Sequence, residues 1–159
     1  MDTTVRKTYT KQLQRLLGLI NDSRKNYQYA VDHTESNDLK DLFRNQQAKR
    51  EAISAELRQK IQQSGADPDE QDQSFLSKME RSWEGFKASM SGKGDQEVLE
   101  RCRNTDQAVL DGYDDVLQGN ILQNQELKTF LAAQRLTINE SFTDLDQRYF
   151  NLFKTDPSI

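Results

Sequence analysis

Few side chains in this sequence carry obvious chemistry, and their spacing is more telling than their number. Histidine occurs once, at His33, and cysteine once, at Cys102. Asp106 interrupts a stripe that is otherwise apolar, formed by Leu99, Cys102, Val109, Tyr113 and Val116/Leu117 in the segment 98–117. A carboxylate at such a position is either a ligand or base, or it is answered by a buried cation or hydrogen-bond donors. Dinuclear iron and manganese centres in helical bundles draw a Glu-x-x-His pair from each of two helices. Three residues before His33 stands Ala30, so that motif is absent and one chain cannot supply its two histidines. A nucleophile would need an adjacent base, and no recognisable motif places His33 beside a serine or a thiol. An imidazole in the last turn of a helix is already accounted for by the helix dipole.

Other chemical signals fail on spacing. Asp67, Asp69 and Gln71 alternate as in a calcium loop, but the sixth position is Asp72 instead of glycine and the twelfth is Lys78 instead of glutamate. Gly92-Lys93-Gly94-Asp95 lacks the Gly-Lys-Ser/Thr ending of a phosphate loop. Cys102 lies on an apolar stripe, which predicts a buried, inert thiol. As the sole cysteine it can form no intrachain disulfide, which fits a reducing compartment. No cofactor is called for, and no catalytic or metal-binding residue is assigned.

Polar breaks in the apolar pattern remain. Ser23/Arg24, Gln46, Arg50, Asp106 and Gln134 stand where the spacing asks for core residues. They predict a structural polar layer of Gln46, Arg50, Asp106 and Gln134, in which a guanidinium answers Asp106, Arg50 first and Arg24 or Arg103 next. The competing reading sends these long side chains along their stems to the surface.

The elements that must position this layer are helices. The 159 residues suffice for one domain with a sizeable core. With 34% hydrophobic and 30% charged residues and only two prolines, the composition calls for charged faces cut by narrow apolar stripes. Apolar side chains at steps of three and four predict long helices over about 5–34, 38–64, 96–118 and 122–153. Ser36 or Asn37 should cap the second, Asp95 the third, while Gly65 and Gly119 act as stops. The crossover, 65–95, contains a shorter amphipathic stretch at about 75–90, long enough to return the chain along the bundle and set the third helix parallel to the second. The expected fold is an all-α, ferritin-like four-helix bundle, a single domain over 1–159, with a long crossover holding a short fifth helix.

A net charge of −4 with interspersed signs argues against a nucleic-acid or anionic-membrane surface. No stretch approaches the ~20 apolar residues of a membrane span, and no signal peptide is evident, so the expected location is cytoplasmic. Met79, Trp83, Phe86 and Met90 on the crossover form a candidate interface for a homodimer or a protein partner; the same residues would equally serve to seal the core.

Several groups of residues carry a family likeness. They are Leu16-Leu17 with Asp22 and Tyr27; Leu39, Leu42-Phe43, Ala48, Arg50 and Glu56-Leu57; the Gly65-Ala-Asp-Pro68 turn; Arg81, Trp83 and Phe86-Lys87; and Val98-Leu99-Glu100, Cys102, Asp106, Ala108 and Tyr113. In these the chain resembles a ferritin-like four-helix-bundle family of uncharacterised bacterial proteins, a domain of unknown function. The resemblance implies the fold and a Trp83-containing crossover, and no established activity. The expected function is that of a non-enzymatic cytoplasmic bundle acting through protein association. The alternatives are a metal-binding ferritin-like oxidase or storage protein, and carriage of a ligand between Tyr27, Phe43, Tyr113 and Phe130.

Overall fold

The computed structural model describes residues 3–69, 83–84, 94–119 and 124–154. Four helices carry the structure: α1 (Thr3–His33), α2 (Asn37–Gln63), α3 (Gly94–Leu117) and α4 (Gln125–Tyr149), the last continued by a π-helical turn, Phe150–Lys154. No strand occurs among the described residues.

Local chemistry sets the helix ends. Ser36 lies in extended backbone and its hydroxyl accepts from Leu39 N at 3.3 Å, starting α2. Asn124 does the same for α4, its Oδ1 accepting from Leu127 N at 3.0 Å, so α4 begins later than the apolar pattern alone implies. At the other end of α2 the chain reverses at Gly65, whose φ of 86° is open to glycine and strained for other residues. Ala66 N then donates to Ile61 O, a carbonyl that also accepts from Ser64 N and Ser64 Oγ.

Asp95 departs from the capping role expected of it. It lies inside the first turn of α3, and its carboxylate reaches instead to the α1–α2 connection. Oδ1 accepts from Thr34 Oγ1 at 2.6 Å and Glu35 N at 2.8 Å, and Oδ2 accepts from Ser36 N at 3.2 Å. The turn between the first two helices is thereby held by the start of the third.

Cross-helix bonds give the directions. Thr10–Ser64 and Asn21–Ser54 set α1 antiparallel to α2, while Arg15–Asp115 and Ser23–Asp106 set α1 antiparallel to α3. Tyr113–Gln134 and Arg103–Asp146 do the same for α3 and α4. Helices α2 and α3 therefore run parallel. Since α1 packs on both of them and α3 packs on α4, α2 and α3 lie across the bundle from each other. Lys60–Glu126 and Arg50–Ser141 join α2 to α4 and complete the circuit.

The expected crossover helix at about 75–90 lies outside the described residues apart from Trp83 and Glu84, which are helical. Trp83 is buried, and its indole N–H donates to Asn26 Oδ1 at 2.8 Å. Its ring stacks near Tyr29, with centroids 6.0 Å apart, and the Arg101 guanidinium stands 5.1 Å from its centre. Trp83 thus seals the α1–α3 side of the core and offers no exposed surface, which removes it from the candidate interface. Met79, Phe86 and Met90 lie outside the described residues.

The core is divided in two. One apolar cluster includes Leu16, Ile20, Ile53, Val109 and Ile138; the other includes Tyr27, Phe43, Cys102 and Leu145. Buried polar residues fall between the clusters on every helix: Asp22, Ser23 and Asn26 on α1, Gln46 and Arg50 on α2, Asp106 on α3 and Ser141 on α4, of which Ser23, Arg50, Asp106 and Ser141 meet one another.

Candidate functional site

That dividing layer is the chemical centre of the molecule. Arg50 comes from α2 and Asp106 from α3, and neither side chain is exposed to solvent. Arg50 Nη2 donates to Asp106 Oδ2 at 3.0 Å, Nε donates to Ser23 Oγ at 3.1 Å, and Nη1 approaches Ser141 Oγ at 3.5 Å. Asp106 also accepts from Ser23 Oγ at 3.2 Å, on Oδ1, and from Tyr27 O–H at 2.5 Å, on Oδ2. Ser141 Oγ in turn donates to Thr137 O at 3.3 Å. The Tyr27 ring lies beside the guanidinium, 5.5 Å from its carbon.

Each interaction follows from burial. A carboxylate removed from water needs counter-charge and donors, and Asp106 has one cation and two hydroxyls. The buried Tyr27 phenol is held well above its ordinary pKa, first by loss of solvent and then by the Asp106 charge. Burial, the largest single influence on Arg50, lowers its pKa; the Asp106 charge and hydrogen bond together with Tyr27 and Tyr113 outweigh it, and the pKa rises. Cys102 is likewise pushed up, by burial first and Asp106 second, which leaves its thiol protonated and inert.

The structure brings only part of the expected layer together. Arg50 and Asp106 meet. Gln134 lies seven residues along α4 from Ser141, about 10 Å by helix rise, and its Oε1 accepts from Tyr113 O–H at 2.7 Å. Gln46 sits one turn beyond Arg50, and its buried Oε1 has no hydrogen-bond partner among the described residues. The glutamines are therefore at different depths from the ion pair and do not complete it. Arg24 is half-buried beside Ser23, which takes the inward position. Arg103 turns outward to Asp146 and across the face of Tyr149.

Tyr27 and Ser141 were not expected in the layer. Tyr27 reads as one more apolar member of the α1 stripe, and only its hydroxyl gives it a second role. Ser141 is small enough to pass unnoticed between Ile138 and Leu145. The signal for it was positional: it occupies the depth on α4 at which the other three helices also turn polar.

A dinuclear metal centre does not fit these residues. The one carboxylate in the layer has its oxygens committed to three donors, and a guanidinium occupies the space beside it. Among the described residues no three His, Cys, Asp or Glu side chains converge. His33 is elsewhere, with Nδ1 2.8 Å from Tyr29 O and its ring 5.1 Å from that of Trp83. The aromatic residues expected to line a ligand cavity are also divided, Tyr27 and Phe43 falling in one apolar cluster and Tyr113 and Phe130 in the other.

Residues 8–119 match a family model described as a domain of unknown function, DUF2383. The chain belongs to this family. The match spans α1, α2, the crossover and α3, so all members of the DUF2383 layer described above lie within it except Ser141. No curated protein and no solved structure matches the chain. No helix among the described residues is long and apolar enough to cross a membrane.

Proposed function

We propose that this DUF2383 protein is a non-enzymatic, ferritin-like bundle of the cytoplasm that acts by associating with protein. The observation that carries this reading is the Arg50–Asp106 pair itself. At the depth where a dinuclear bundle enzyme gathers carboxylates and imidazoles, this chain places a guanidinium whose partners consume the lone aspartate. Such a centre fixes how the helices fit together and leaves no open position for a substrate. Association is supported by large apolar side chains that remain more than half exposed, Leu136, Phe150 and Leu152.

Elemental analysis of the purified full-length protein tests the reading. Iron, manganese and zinc are expected well below one per chain. One or two equivalents of any of them, retained through dialysis, would overturn it in favour of the metal-binding oxidase or storage alternative.

A further inference from the structure

The outer face of α4 has a periodicity of its own. Ala133, Leu136, Glu140, Thr143, Gln147 and Phe150 recur at alternating steps of three and four, and all are exposed. This is the spacing of a coiled-coil seam, on the side of the helix away from the residues that face the core. In a chain that is 30% charged, Glu140 is the single charge on this row. Its two large apolar members, Leu136 at 60% and Phe150 at 58% exposure, stand about 21 Å apart along the axis. The row also lies beyond residue 119, where the DUF2383 match ends.

We infer that this face docks on a second copy of the chain, α4 against α4, antiparallel about a two-fold axis at Thr143. The inference rests on the association reading above and names its partner. Self-pairing requires a surface that does not repel itself, and a row with one charge in six positions meets that condition. Charge also selects the direction: a parallel pair would set Glu140 against the partner's Glu140, whereas the antiparallel pair sets it level with positions 146 and 147 of the partner, where Gln147 is the member of the row and Asp146, off the row, is already paired with Arg103 of its own chain. With the axis at Thr143, Leu136 falls on the partner's Phe150 and Phe150 on the partner's Leu136, so both exposed residues are covered by one operation. Two helices of this length in contact bury roughly 400 Å² of each copy, about half a standard interface, which makes the dimer concentration-dependent.

Sedimentation of the full chain across a concentration series reaching the millimolar range reads this directly. Mass is expected to rise from 18.5 kDa toward twice that value. Leu136→Glu and Phe150→Glu should each weaken dimerisation at least tenfold with unchanged helical circular dichroism, while Leu152→Glu, exposed but off the row, should leave it intact. Under mild oxidation Thr143→Cys should cross-link two chains and Leu136→Cys should not; Cys102 is buried and does not compete. A chain that stays monomeric throughout, a dimer indifferent to Leu136→Glu, or cross-linking through Leu136→Cys would overturn the inference. These outcomes leave the metal analysis untouched, and bound metal would sink the functional reading whatever the mass.

Discussion

Arg50 and Asp106 are bonded across the diagonal of the bundle, between two parallel helices, α2 and α3, that are not neighbours around it. Their 3.0 Å contact passes through the middle of the core and separates its two apolar clusters. Removing one partner strands the other where solvent does not reach. Arg50→Met and Asp106→Leu should each cost about 3–5 kcal/mol in denaturant unfolding. The double variant should return to within about 2 kcal/mol of the parent, because an apolar pair fills the space without a stranded charge. Additive losses would show that the two residues act independently.

Alkaline pH should destabilise the fold through groups whose neutral forms it favours. Cys102 has an ordinary pKa of 9.0 and Tyr27 and Tyr113 of 10.0, and burial raises all three in the folded chain. Above those ordinary values the unfolded chain loses protons that the folded chain keeps. The folded state then binds more protons, so stability is complete below pH 9 and falls as pH rises past 9 and then 10. The expected slope is about 1.4 kcal/mol per pH unit for each such group. Ultraviolet titration of native protein should leave at least two of the five tyrosines un-ionised until unfolding, and Cys102 should resist thiol reagents over the same range.

Asp95→Ala should loosen the end of the bundle that holds the α1–α2 turn. The substitution leaves Glu35 N and Ser36 N without the carboxylate that accepts from them. A loss of about 1–3 kcal/mol is expected, together with faster amide exchange at Glu35 and Ser36 and little change at Gly65, at the opposite end.

Trp83→Ala should cost about 3–5 kcal/mol, the range for emptying a large buried site. Trp83→Phe keeps most of the packing and loses the bond to Asn26, so it should cost about 1–2 kcal/mol. As the only tryptophan, Trp83 should fluoresce at short wavelength in the native protein and shift to the red on unfolding. A red-shifted native spectrum would place the indole in water.

The helices and their stops were legible because periodic apolar spacing and residues such as Ser36 and Gly65 act locally. The ion pair was legible for a related reason: an aspartate and an arginine at core positions have few ways to be satisfied other than by each other. The glutamines are buried as the spacing implied, but their separation from the ion pair was hidden because depth along a bundle depends on helix stagger, which spacing within one helix does not reveal. Tyr27 was hidden by its ring, which packs like any apolar group while its oxygen completes the shell of Asp106. The role of Asp95 was hidden because its partners are backbone amides some sixty positions earlier, and an aspartate at a helix start reads first as a local cap.

The antiparallel pairing of α1 with α2 through so short a connection has a consequence for assembly. Those two helices can come together as soon as they are synthesised, yet Arg50 then has no counter-ion, since Asp106 has not been made. A lone half-bundle must keep its guanidinium wet and its seam open, so the first hairpin does not bury its core face on its own. Closure waits for the second hairpin to arrive, and the whole chain should then fold in one all-or-none step, without a stable N-terminal intermediate.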